Sequence, residues 1–95
     1  MSKRAGFGTI TSVTAGEAIQ CSGTTMLNLV IGGTATAGFQ IMGPDGTWRT
    51  LTDGATNFAS EGMWFLDFPN DVQIRLNVSA YSSGDVDWQI ASTAP

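Results

Sequence analysis

Short segments of alternating apolar and polar residues make up most of this chain. The clearest segment is 72–78, whose apolar positions are Val72, Ile74, Leu76 and Val78. A period of two is typical of a β-strand with one face against a core. Comparable segments lie at 7–14, 17–22, 25–31, 63–68 and 86–90. Glycine and β-branched residues fill them and no window has the spacing of an amphipathic helix, so the pattern predicts strands throughout.

Residues 36–52 carry the best-marked hairpin of the sequence. Phe39 lies in its first strand, and Trp48 begins the return strand. Between them, Pro44 presets the φ angle of a type I turn, and Gly46 accepts the left-handed conformation that brings the return strand into register. The stretch therefore predicts two adjacent antiparallel strands.

About eight short strands follow from these segments and from the turn signals between them. This spacing favours an all-β fold, specifically a single small antiparallel β-sandwich of the jelly-roll or immunoglobulin-like kind. The 95 residues fit one domain of ordinary size. We predict one sandwich domain over residues 1–95, with residues 1–6 as an extended N-terminal arm.

Two of the predicted strands carry large apolar side chains on both faces. In 25–31 Met26 and Val30 lie opposite the main apolar face, and in 63–68 Met63 and Phe65 do so. The threonine-rich segment 7–14 has the composition of an edge strand. Met63 and Phe65 either cover an end of the core or form a contact surface for another subunit, and the second interpretation predicts an interface. Its candidate residues are Phe7, Ile10, Met26, Val30, Met63 and Phe65.

Charged residues form only 13% of the chain, about half the usual share. Glycine, serine and threonine replace much of that charge. A free monomer usually relies on charge for solubility, so this composition favours a surface covered by neighbours. Secreted monomeric β-domains share the composition and stay open as an alternative.

The net charge of −4 argues against nucleic acid as a partner, because phosphate contacts need clustered lysine and arginine. No apolar run reaches the length of a membrane span, so we expect no membrane partner. Cys21 is the single cysteine and cannot form a disulfide within the chain. Together with an N-terminus that lacks a signal-peptide core, this favours synthesis in a reducing cytoplasm.

Residues suited to catalysis are scarce. Histidine is absent, and the chain has one cysteine and one lysine, which excludes Cys–His pairs and makes a zinc site or a buried Schiff-base lysine improbable. Asp67, Asp71, Asp85 and Asp87 could contribute to a calcium site, but their spacing matches no calcium loop and fits turns and solvated faces better. We expect no enzyme activity, no metal and no cofactor.

The three tryptophans raise an alternative function. Trp88 alternates with apolar residues and is expected in the core, whereas Trp48 and Trp64 are ambiguous. An exposed ring on a β-sandwich can stack on a sugar, so these two residues are the candidate ligand platform of a carbohydrate-binding module. Core or interface packing is the competing interpretation for both residues.

Several stretches resemble small structural proteins of tailed bacteriophage virions. The resemblance covers residues 25–91 and rests on 33–42 (GTATAGFQIM), 44–48 (PDGTW), 72–78 (VQIRLNV) and 84–88 (GDVDW). It implies a capsid decoration (cement) protein or a small tail or fibre component. It further implies contacts with the major capsid protein or other virion proteins, a homo-oligomer with a trimer favoured, and a place in the virion after synthesis in the host cytoplasm.

Overall fold

The computed structural model describes residues 4–53 and 56–92, and no helix occurs among them. Every strand pairing is antiparallel. The strands are β1 (Ala5–Ile10), β2 (Ile19–Ile31), β3 (Thr34–Met42), β4 (Trp48–Thr50), β5 (Thr52–Asp53), β6 (Thr56–Asn57), β7 (Gly62–Ser83) and β8 (Val86–Ser92). The predicted all-β, antiparallel class is confirmed.

Six strands form one sheet in the order β1-β8-β2-β7-β3-β4, and β5 pairs with β6 in a separate two-stranded ribbon. The strand pairing does not confirm two packed sheets, so the jelly-roll or immunoglobulin-like detail stays a prediction. Of the predicted N-terminal arm, residues 1–3 lie outside the described part of the chain. Residues 5 and 6 already belong to β1.

The segments predicted as separate strands at 63–68 and 72–78 are one strand, the 22-residue β7. The turn predicted between them is instead a bulge, in which residues 69–71 stand opposite the single residue Ser22. A residue in a bulge does not donate its N–H to the partner strand, so Pro69, which has no N–H, loses no hydrogen bond there. The strand therefore continues through Pro69. The predicted break at Gly23 is likewise wrong. Gly23 has a φ of 68° on the other side of this bulge, within the continuous β2.

The sheet bends around one core because β7 changes its neighbour along its length. Its first half pairs with β2 and its second half with β3. A Cβ atom added at Gly16, which precedes β2, would lie 3.0 Å from the Trp88 ring of β8. The buried cluster draws on β1, β2, β3, β7 and β8 and on two residues outside the strands; it contains Ile10, Ile19, Cys21, Leu27, Leu29, Ala37, Phe39, Leu51, Phe58, Ile74, Leu76, Val78, Val86, Trp88 and Ile90.

The bulge in β7 is held from the N-terminal end of the chain. The Arg4 guanidinium donates to the Asp71 carboxylate at 3.2 Å and to the Ser22 hydroxyl at 3.2 Å. Gln20 donates to the other oxygen of the same carboxylate at 3.0 Å. These contacts, led by the hydrogen bond from Arg4, lower the pKa of Asp71 below its ordinary value of 3.8.

The predicted hairpin at 36–52 is confirmed, with Met42 opposite Trp48. Gly46 has a φ of 82°, and its N–H donates to the Gly43 carbonyl at 3.1 Å. The Asp45 carboxylate accepts from the Thr47 N–H at 3.1 Å and so closes the turn. The return strand β4 is only three residues long.

Two glycine turns touch at one end of the sheet. Gly84, between β7 and β8, has a φ of 84° and lies against Gly33, between β2 and β3. A Cβ atom at Gly84 would lie 2.5 Å from the Gly33 nitrogen. The Tyr81 hydroxyl donates to the Gly84 carbonyl at 2.7 Å and fixes the turn from outside.

The variants Gly84→Ala and Gly46→Ala distinguish the free-energy cost of backbone strain from the cost of steric crowding. Both glycines have a positive φ, but no atom lies within 4 Å of a Cβ built at Gly46. We expect Gly46→Ala to lower the free energy of unfolding by about 1 kcal/mol through strain alone. Gly84→Ala also displaces the Gly33 backbone, so its loss is about 3 kcal/mol. Urea unfolding measures both, and equal losses would contradict the close approach of the two turns.

Asp71→Asn tests the contact at the bulge through its pH dependence. A lowered pKa in the folded state stabilises the fold above pH 3.8, and this stabilisation is lost as the pH falls through the folded-state value. The wild type should therefore melt at a higher temperature than Asp71→Asn at neutral pH, and the two should converge in acid. Arg4→Gln is the matched control; its effect and that of Asp71→Asn should be less than additive. A constant difference at all pH values would contradict the contact.

Candidate interaction surface

The outer side of β1, β8, β2 and the first half of β7 gathers apolar residues from four neighbouring strands. One row across these strands contains Phe7, Gln89, Asn28 and Met63. The adjacent row contains Ala5, Ala91, Met26 and Phe65, and on the other side Thr9, Asp87 and Val30 follow. We call this surface the outer apolar face and define it by Phe7, Met26, Val30, Met63 and Phe65.

Four members of the outer apolar face are largely open to solvent. The exposed fractions are 82% for Phe7, 65% for Phe65, 55% for Met63 and 47% for Val30, and Met26 is half-buried. With roughly 150 to 250 Å² on a large side chain, these fractions add to on the order of 500 Å², near the upper end for the largest patch on a monomer. The strand pleat is the cause, since the intervening residues Leu27, Leu29 and Trp64 point into the core.

Five of the six candidate interface residues thus share one surface, and the sixth does not. Ile10 is 7% exposed and belongs to the core. It ends β1, and alternation along that strand places Ile10 on the side opposite Phe7. Its assignment to the interface is a wrong prediction. The strand predicted over 7–14 is also shifted, because β1 begins at Ala5 and ends at Ile10.

Carboxylates border the outer apolar face, and each is held by a hydrogen bond. Asp87 accepts from the Thr9 hydroxyl at 2.6 Å, Asp67 from the Thr24 hydroxyl at 2.7 Å, and Glu61 from the Ile31 N–H at 2.8 Å. The outer positions of 5–9, 24–30, 61–67 and 87–91 include no lysine or arginine. Sequence reasoning missed this acidic rim, although alternation alone places Asp67 beside Phe65 and Glu61 beside Met63.

The two tryptophans proposed as a sugar platform each have aromatic or cationic neighbours. The Arg75 guanidinium lies 4.3 Å from the centre of the Trp48 ring, and its Nε donates to Gln40 at 2.8 Å. Trp64 packs edge-on against Phe58 with ring centres 5.1 Å apart. Both tryptophans are half-buried. Trp88 is 5% exposed, which confirms its prediction as a core residue.

The described residues contain no group of three or more His, Cys, Asp or Glu side chains placed to hold a metal ion. Nor do they contain a helix with the length and apolar character needed to cross a membrane. The sulfur of Cys21 lies in the core, 3.5 Å from the Ile19 carbonyl. Burial, which disfavours the thiolate, raises the pKa of this thiol to about 11.

Cys21 should therefore resist thiol reagents in the folded protein. With a pKa of about 11, the thiolate fraction at pH 8 is on the order of one in a thousand, and burial adds a steric barrier. We expect slow reaction with dithionitrobenzoate in buffer and rapid reaction of one thiol per chain in denaturing urea. Rapid labelling under native conditions would show that Cys21 is accessible and would contradict its place in the core.

Comparison with known proteins adds no relative to this picture. No protein-family model, curated protein or solved structure matches the chain. Any function assigned to it rests on the residues and contacts described above and on the sequence resemblance.

Proposed function

We propose that this chain is a non-enzymatic structural component of a bacteriophage virion, namely a capsid decoration (cement) protein that stabilises the shell through repeated protein–protein contacts. The observation that carries the proposal is the outer apolar face, with Phe7, Met63 and Phe65 all more than half exposed. Large exposed apolar side chains gathered on one face mark interaction sites, and here Gln89 and Asn28 lie between Phe7 and Met63. The resemblance to small virion proteins supplies the biological setting.

The size of the outer apolar face suits a contact that is repeated many times. Burying on the order of 500 Å² at about 25 cal/mol per Å² contributes about 12 kcal/mol. Association costs about 4 to 15 kcal/mol, so a single contact of this kind is weak to moderate. An oligomer that makes the contact at several points on a shell gains avidity. A protein that binds the assembled shell, but not its dissociated subunits, stabilises the shell by mass action.

The acidic rim defines the chemistry of the partner. Asp67, Asp87 and Glu61 border the outer apolar face, and no basic residue lies among its outer positions. A complementary surface has an apolar centre and a border of lysine or arginine. We expect the major capsid protein, or another virion protein, to present such a surface, and we expect the binding to weaken as salt concentration rises.

A carbohydrate-binding module is the alternative function, with Trp48 and Trp64 as its platform. Arg75 lies over the Trp48 ring and Phe58 packs against Trp64, so a sugar would stack only on ring surface that these neighbours leave open. This alternative predicts a shift of tryptophan fluorescence when polysaccharide is added. The cement proposal predicts no shift.

The double variant Met63→Asp/Phe65→Asp tests the proposal. Each change places a charge on the β7 side of the outer apolar face, and because both residues are exposed the fold should be retained. We expect binding to undecorated shells of the parent phage to fall by about 100-fold or more, as for the loss of two large contact residues. Co-sedimentation measures the binding, and circular dichroism confirms the fold.

Val13→Asp is the matched control, since Val13 is 63% exposed and lies outside the outer apolar face. Its shell binding should equal that of the wild type. Wild-type binding by the double variant would exclude the outer apolar face as the contact. Equal loss in Val13→Asp would show a general effect of added charge.

A further inference from the structure

A second surface lies at right angles to the outer apolar face, along the free edge of β1. We infer that two copies of this chain pair through β1, antiparallel and about a two-fold axis at Phe7, so that their two six-stranded sheets become continuous. This inference goes beyond the proposed function and does not depend on it, because the edge contact is made mainly by the backbone of β1 and Phe7 is the one residue of the outer apolar face that takes part in it.

The backbone of β1 alternates between its neighbour β8 and open space. The Ser92 N–H donates to the Arg4 carbonyl at 2.8 Å, so Arg4, Gly6 and Gly8 direct their peptide groups toward β8. Ala5, Phe7 and Thr9 direct theirs the other way. In the described part of the chain no backbone hydrogen bond reaches these three residues from that side. An open depression of about 340 Å³ lies along Ala5, Gly6 and Phe7, and Glu17, from the segment between β1 and β2, also lines it.

The edge of β1 carries none of the features that usually keep an edge strand from pairing. Its sequence, AGFGTI, contains no charge and no proline, and its register with β8 has no bulge. Edge strands normally carry such a device because unpaired N–H and C=O groups recruit another strand. The most exposed large side chain of the structure, Phe7, stands in the middle of this strand.

The strand is complementary to itself in one register. With the two-fold axis at Phe7, that residue faces its equivalent in the second copy, and Ala5 faces Thr9 of the second copy. All of these residues direct their peptide groups to the free side, so every facing pair exchanges two backbone hydrogen bonds. The two phenylalanine rings then lie side by side on the outer face and shield each other from water.

Two copies of this chain pair more favourably through their β1 edges than through any other surface described above. Face-to-face contact would oppose two acidic rims, whereas no charge of β1 opposes another in the paired edges. Two other edges could pair with β1 in a head-to-tail ring. The strand β4 is three residues long and carries the Arg49–Asp45 ion pair. The first half of β7, which pairs only with β2, carries Asp67 and Pro69, and charge and proline both oppose edge pairing. The edges thus favour a two-fold pair over the trimer that the resemblance implies.

Phe7→Cys tests both the contact and its register. Facing residues of such a hydrogen-bonded pair have Cβ atoms roughly 4.5 to 5.5 Å apart, wider than the roughly 3.5 to 4.5 Å of an unstrained disulfide. A short bifunctional thiol reagent such as a bis-methanethiosulfonate spans this gap, and we expect it to link most Phe7→Cys chains into a dimer on non-reducing gels. Cys21 does not compete because it is buried. Native mass spectrometry of the wild type at micromolar concentration should give twice the 10.0 kDa of one chain.

Thr9→Cys is the matched control on the same strand and face. Two copies of Thr9 would lie roughly 13 Å apart along the strands, so Thr9→Cys alone should not crosslink. A mixture of Thr9→Cys and Ala5→Cys chains should crosslink, because these positions face each other. A monomeric or trimeric wild type, or equal crosslinking of Thr9→Cys and Phe7→Cys, would overturn the inference. Shell binding by the Met63→Asp/Phe65→Asp variant reports on the proposed function separately.

Discussion

The change of partner along β7 is the constraint on which the rest of the structure depends. One strand of 22 residues pairs with β2 through its first half and with β3 through its second. The bulge opposite Ser22 lies just before Ile74, where pairing with β2 ends and pairing with β3 begins, and bulges bend strands and increase twist. Because of this bend, Ile74 and Trp88 reach the same core although their strands are not neighbours in the sheet.

The same bend decides which apolar side chains the core can use. The inner side of the sheet is filled by residues such as Leu27, Leu29 and Ile90, all at most 1% exposed. Met63 and Phe65 alternate with inward residues in a strand that has no second layer outside it, so they stay in solvent. Two such surfaces would bring the carboxylates Asp67, Asp87 and Glu61 into opposition, whereas β1 itself carries no charge. Surface and edge therefore suit different partners.

Sequence periodicity predicted the elements better than it predicted their continuity. The alternation at 72–78 located the buried side of β7, and the Pro44–Gly46 turn located the β3–β4 hairpin. The break expected at Pro69 was wrong because a proline is equally compatible with a turn and with a bulge, and only the partner strand distinguishes them. The segments with apolar residues on both faces correctly indicated large side chains that the core does not bury. Ile10 was misassigned although alternation places it opposite Phe7, because the threonine-rich segment 7–14 was treated as an edge with both sides open to a partner.

Because Gly6 and Gly8 have no side chains, β1 is held in the sheet mainly by its backbone. Their missing side chains make room for Trp88 and Ile19, since a Cβ atom at either glycine would lie 3.1 Å or less from one of them. Of the inward positions of β1, only Ile10 contributes a side chain to the core, so backbone hydrogen bonds to β8 hold most of the strand. Local opening is easiest where few side chains are buried. The edge strand therefore separates from the sheet at a small free-energy cost, and any chain that pairs with it also rigidifies it.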